Sequence, residues 1–189
     1  EGSVSRELGV PGVPAAGEGW GTAREIALAA SLHVPIHICH VSTANSVAFI
    51  REARARGIPV TGETAPHYFA LTHEELRDLD ADKRMSPPLR EKEDVEAIIR
   101  ALQDGTLQAI ATDHAPHTPE EKSDFLQAPN GSIGMETSLA ASITYLVKPG
   151  YLSLLELLRL MSTAPAELLH LNAGTLRPGA PADLVLFDP

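Results

Sequence analysis

Apolar side chains at Ala23, Ile26, Ala27 and Ala30 in TAREIALAASLH recur at intervals of three and four, and the chain then enters the short unbroken run VPIHIC, which ends at His40. The first spacing lines one face of a helix; the second reads as a strand buried on both sides. The same pair of patterns returns twice. TANSVAFIREARARG is apolar at 47, 50 and 53 and stops at Gly57, and IPVTGE follows as a second strand. EKEDVEAIIRALQDG is apolar at 95, 98, 99 and 102 and closes at Gly105, and LQAIAT follows as a third strand. METSLAASITYLV and SLLELLRLMSTAPAELLHL add two helices. The opening EGSVSRELGVPGVPAAGEGWG, rich in glycine and proline, reads as a long loop entering a helix near Trp20. The closing GTLRPGAPADLVLFDP reads as a turn and a strand.

Strands separated by helices and apolar along their length pair in parallel, in an α/β fold. Three strands cannot close a barrel, and an open sheet of three leaves two long edges bare. The fold expected is therefore α/β, a partial (β/α)8 TIM barrel made of its carboxyl-terminal strands and helices. Residues 1–172 form that part, and residues 173–189 form a strand segment of a small β-sandwich domain. Chemistry in such barrels sits at the carboxyl ends of the strands, where the first strand ends in His40 and the third in Asp113.

Composition narrows the classes. The chain has 189 residues, 43 % hydrophobic, enough for one domain with a real core or for part of a larger one. It starts at Glu1 rather than at methionine, and no apolar run approaches the roughly 18 to 20 residues that span a bilayer. A soluble, cytoplasmic protein without a signal peptide is expected. Scattered charges, 15 basic against 25 acidic for a net −10, argue against nucleic acid and against a membrane surface. The single cysteine, Cys39, forms no internal disulfide.

Imidazole and carboxylate are the ligands that hold zinc while leaving a position for water. Zinc lowers the pKa of that water to about 7 in favourable cases, and an adjacent carboxylate such as Asp113 can take its proton and hand it to a leaving nitrogen. On spacing alone, His40 and Asp113 fit equally a strand-end histidine and a helix N-cap.

ATDHAPHTPEEK, residues 111–122, resembles the second signature of dihydroorotases: a small residue and Thr or Ser, then Asp, any residue, Ala-Pro-His, and a basic residue after four more. PGVPAAGE, HICHVSTANSV, GETAPHYFALT, MSPPLR, SIGMETSLA and PADLVLFDP also resemble segments of the long bacterial-type dihydroorotases, in the same order. The chain is thereby identified as similar to the carboxyl-terminal portion of such an enzyme of the amidohydrolase superfamily.

This resemblance implies that His40 is a zinc ligand, that Asp113 is both zinc ligand and general base, and that His117 helps to hold the carboxylate of dihydroorotate. It implies that the backbone of APNGSIG contacts the pyrimidine ring, closest at Pro129 and Gly131. One or two zinc ions per complete site are implied, with a homodimer or a complex with aspartate carbamoyltransferase as partners. Ser86 in MSPPLR stands where dihydroorotases usually have Asn and is similar to hydantoinases and allantoinases. A ring hydrolase of that kind is thus one alternative, and a non-catalytic dihydroorotase-like partner of aspartate carbamoyltransferase is the other. The family's H-x-H pair, its bridging lysine or aspartate and its other histidine ligand are expected before Glu1, so the chain by itself is expected to be inactive.

The remaining groups read as structural. His37 is a packed strand residue; His67, in TAPHY, is near the site but mainly structural; His114 turns from Asp113 and orients its loop. His33, His73 and His170 are surface, Arg90 is an anion contact or an ion pair, Cys39 is small and buried, and Glu63 and Glu136 steady the loops.

Overall fold

In a computed structural model that describes residues 2–189, three parallel strands form one sheet in the order β1 (Ile36–Ile38), β2 (Val60–Thr64), β3 (Ala109–Ile110). Ile36 faces Val60 and Ile38 faces Gly62 across one ladder, and Glu63 faces Ala109 across the other. The helices are α1 (Ser3–Leu8), α2 (Ala15–Leu32), α3 (Ala44–Ala55), α4 (Pro66–Ala70), α5 (Lys92–Gln103), α6 (Ser138–Ser142), α7 (Leu154–Leu158) and α8 (Ala164–Leu168). α6 continues in π geometry over Ile143–Val147, and a π segment, Arg159–Thr163, joins α7 to α8.

The core lies on one face of the sheet. Val47, Ile50 and Ala53 of α3, the positions the sequence pattern selects, meet Ile98, Ala101 and Leu102 of α5 there, with Val60, Leu107 and Ile110 from the sheet side. Thr43 starts α3 by accepting the amide of Ser46 at 3.2 Å. The opposite face carries His37, Cys39 and Glu63 and is partly open, and among the described residues no strand pairs with the outer edges of β1 and β3. A parallel sheet is ordinarily covered on both sides, so this half of the α/β architecture has room for a second half against it.

Several expectations need correction. The opening loop contains α1, anchored by buried Val4 and ended by Gly9 in the left-handed conformation, a turn hidden in sequence by the glycines and prolines around it. α2 begins near Ala15 and buries Gly19, Thr22, Ile26 and Ala29 rather than the 23/26/27/30 stripe. Small residues decide that rotation: Thr22 donates to Ser46 at 3.1 Å, and a Cβ on Gly19 would come within 3.3 Å of Asn45. Residues 173–189 form no strand; Leu184, Val185 and Leu186 are exposed, and only Phe187 packs partly on the core. A strand needs a neighbour to bond with, and among the described residues no other strand lies beside it. Cys39 is exposed rather than buried because the face it occupies is open.

Candidate metal centre and active site

The carboxyl ends of the three parallel strands bring together three groups, one from each: His40 after β1, His67 after β2 and Asp113 after β3. Both His40 and Asp113 hold left-handed backbone, at φ 39° and 49°. Non-glycine residues rarely sit there, and such strain gathers where side chains must be aimed. Nε2 of His67 lies 3.8 Å from Oδ2 of Asp113, and the side chains are 12 % and 28 % exposed. His40 is near enough for its charge to act on His67.

His67 is the residue that sequence reasoning undervalued. Its Nε2 is buried with no hydrogen-bond partner among the described residues, a costly state for a polar atom. Burial pushes its pKa down to about 4; Asp113 pulls it back up and His40 presses it further down. The imidazole is therefore neutral at pH 7, as a metal ligand must be. Two imidazoles and a carboxylate are a zinc donor set, and a cation at Nε2 would satisfy the orphaned atom, so these residues fit a metal. They are not drawn into a compact triangle here; among the described residues that arrangement is found only at His37, Cys39 and Glu63. The signal for His67 was its place: a histidine just beyond the second strand meets the same rim as the groups beyond the first and third.

A pH dependence follows for the metal-free protein. With an unfolded value of 6.5 and a folded value of about 4, the unfolded chain binds a proton that the folded chain excludes between those limits. Stability from neutral His67 is full above about pH 6.5 and is lost as pH falls towards 4, on the order of 3 kcal/mol in all. Urea unfolding of the metal-free intact protein at pH 7.5 and 5.0 should show the drop, and His67→Asn should flatten it.

Around this trio, the loop 128–135 runs beside residues 112–117, bridged in parallel at His114 and Ser132. Nδ1 of His114 accepts the amides of Gly134 at 3.0 Å and Met135 at 3.4 Å, the loop-orienting role expected of it. Nε2 of His117 lies 3.1 Å from the Asn130 carbonyl, and its Nδ1 is 3.5 Å from Glu121. Lys122 inserts its ammonium among four carbonyls, those of Ala81 at 2.9 Å, Arg84 at 3.3 Å, Pro129 at 3.0 Å and Gly131 at 2.6 Å. The Pro129 and Gly131 carbonyls thus turn towards Lys122. Gly131, at φ 145°, makes its close approach to the neighbouring loop: a Cβ would lie 2.5 Å from the Ala115 carbonyl oxygen and 3.1 Å from the His117 ring. Gly131→Ala should cost about 1–3 kcal/mol by overpacking, read as a lower denaturation midpoint; an unchanged midpoint would mean the two loops part freely.

Ser86 is exposed at the rim of a cavity of about 460 Å³ that Arg84, Met85, Leu89, Phe125 and Asn130 also line. Arg90 proves to be an ion pair: 7 % exposed, it donates to Glu18 at 3.3 Å, to Ser42 at 3.1 Å and to the Val13 carbonyl at 2.9 Å. Glu63 pairs with His37 within the sheet rather than holding a loop, whereas Glu136 is exposed. His73 is largely covered, its side chain 14 % exposed, and lies against Gly2.

The amidohydrolase family profile matches residues 15–189. A protein of Citrifermentans bemidjiense named dihydroorotase is 52 % identical over 190 residues, covering all of this chain and 45 % of that protein. One of Acetivibrio thermocellus with the same name is 49 % identical over 189 residues, covering all of this chain and 44 % of that protein. Among solved structures, the dihydropyrimidinase of Brevibacillus agri matches 89 % of this chain and 39 % of its own at a TM-score of 0.85 and 35 % identity. A D-hydantoinase from a Bacillus species matches 90 % of this chain and 39 % of its own at 0.85 and 37 %. The chain spans less than half the length of the curated relatives it matches.

Proposed function

Because this chain belongs to the amidohydrolase family, we propose that the intact protein is a zinc-dependent cyclic amidohydrolase and specifically a dihydroorotase, interconverting N-carbamoyl-L-aspartate and L-dihydroorotate in de novo pyrimidine synthesis. The observation that carries the chemistry is the neutral, orphaned Nε2 of His67 beside Asp113 at the rim that also bears His40. Relatives of about 50 % identity along the whole chain, named dihydroorotase, support the substrate.

His40, His67 and Asp113 would hold the zinc, with further ligands from outside residues 1–189. When bound, zinc supplies Lewis-acid polarisation of the ring carbonyl and an acidified water. Asp113 takes the proton of the attacking water at a carboxylate oxygen and returns it to the departing ring nitrogen. With Nε2–H donated to the Asn130 carbonyl, the His117 ring offers Nδ1–H only when it carries both protons, and in that form it binds the substrate carboxylate in competition with Glu121. The backbone of the 128–131 loop and Ser86 face the ring of the substrate.

Ser86 favours a second reading, a hydantoinase or allantoinase, since a hydroxyl reaches less far than an amide and offers less to a cyclic imide edge. Assaying the intact protein on dihydroorotate, hydantoin and allantoin side by side separates the readings. Turnover of dihydroorotate well above the other two is expected; turnover confined to hydantoin or allantoin would replace the substrate, and none on any ring would favour the non-catalytic partner. No helix among the described residues is long and apolar enough to cross a membrane.

A further inference from the structure

The segment MSPPL, residues 85–89, walls the cavity at whose rim Ser86 stands, and it has few means of holding itself in place. Pro87 and Pro88 carry no amide proton, so neither can tie the backbone down as a donor. The flanks are fixed. The Arg84 carbonyl accepts the Gly131 amide at 3.0 Å and the Lys122 ammonium at 3.3 Å, and the Arg90 carbonyl accepts the His73 amide at 2.8 Å. Between those anchors, one hydrogen bond reaches residues 85–89 among the described residues: the Tyr68 hydroxyl donates to the Pro87 carbonyl at 2.8 Å.

Tyr68 is suited to that contact. It follows His67 on α4 and is 2 % exposed, and its ring packs edge-on against the imidazole with centroids 4.1 Å apart. A buried phenol hydroxyl needs a partner, and a carbonyl at one place selects one position of the ring. Burial raises the pKa of the phenol, and the charges of Asp113 and Glu18 raise it further. The hydroxyl therefore keeps its proton, which is committed to Pro87. One side chain thus spans from the rim that bears His67 and Asp113 to the wall that bears Ser86.

We propose that Tyr68 is a positioning residue for the substrate: through the Pro87 carbonyl it fixes how far the Ser86 hydroxyl stands from the rim of His40, His67 and Asp113, and so how a ring fits between them. This role rests on the reading of Ser86 as a substrate contact given above. Tyr68 itself is assigned no contact with substrate or metal; it acts through the backbone beside Ser86.

The test is Tyr68→Phe in the intact protein, which removes one hydroxyl and keeps the ring against His67, assayed on the ring that the wild type turns over. KM should rise about fivefold, the factor that one neutral hydrogen bond is worth. With kcat within a factor of about two and metal content unchanged, that is the signature of lost binding rather than lost chemistry. Ser86→Ala should raise KM as well, and Tyr68→Phe added to it should raise KM little further, since both act through one contact. A lower denaturation midpoint with KM unchanged would make Tyr68 a packing residue only and overturn the proposal. So would the same rise in KM in the Ser86→Ala background, or a loss of metal with kcat, which would place the support at His67 instead. If Ser86→Ala leaves KM unchanged, Ser86 is no substrate contact and the proposal falls with that reading. A wild type that turns over no ring overturns both before any variant is made, so the two failures are told apart.

Discussion

Asp113→Asn in the intact protein should lower kcat for dihydroorotate by about 10²–10⁴-fold, the usual contribution of a positioned general acid and base, with the fold intact. The carboxylate ends the third strand in a strained left-handed turn and faces Nε2 of His67 at 3.8 Å. It lies outside the apolar core, so the change removes the proposed proton acceptor and ligand without opening a cavity. Asparagine keeps the shape and can still meet a cation through its oxygen, which separates proton transfer from ligation: metal content should fall less than kcat. A kcat within a factor of three of wild type would show that Asp113 carries no proton and would move the base elsewhere.

The second large effect is expected at Glu18, far from any reacting atom. Its carboxylate accepts the amides of Ser42 and Thr43, each at 3.0 Å, the Thr43 hydroxyl at 3.0 Å, the Ser42 hydroxyl and, at 3.3 Å, the Arg90 guanidinium. Those donors belong to the turn that follows His40 and to the end of the segment that carries Ser86. Glu18→Ala leaves the Arg90 charge buried at 7 % exposure without its counter-charge, and removing one member of a buried pair costs about 3–5 kcal/mol. Guanidinium denaturation of the intact protein should show that loss, and Arg90→Met added to Glu18→Ala should restore part of it by withdrawing the stranded charge. A loss below about 1 kcal/mol, the size of an exposed pair, would show that the clamp is solvated. His40 should also lose its orientation, so metal affinity should fall with stability.

Some of this was legible in the residues and some could not be. The α3 stripe at 47, 50 and 53 emerges as the buried face because its large side chains outweigh everything else on that helix. The α2 stripe does not, because alanines lie all round it and the contact with α3 is chosen by Gly19 and Thr22, small residues that a hydrophobicity pattern ignores. His40 and Asp113 stand out because each follows an apolar run. His67 also lies just beyond a strand, but that strand is not an apolar run and a proline and an aromatic neighbour give TAPHY the look of packing; the missing hydrogen bond at Nε2 adds to the signal of its place. The partners of Glu18, 24 and more residues away along the chain, have no local signature at all. Cys39 was misplaced for a different reason: alternation tells which side of a strand a residue takes, but not whether anything lies against that side.

The cradle of carbonyls around Lys122 bears on how specificity in such a protein can be re-engineered. Because one ammonium binds carbonyls at 81, 84, 129 and 131, the two segments proposed to face the substrate are mechanically one piece. A designer grafting the 128–131 loop of a hydantoinase onto this chain would have to carry residues 81–86 and the lysine with it, since a loop transplanted alone would arrive without its anchor. Selectivity here is a property to be exchanged as a block, not tuned residue by residue.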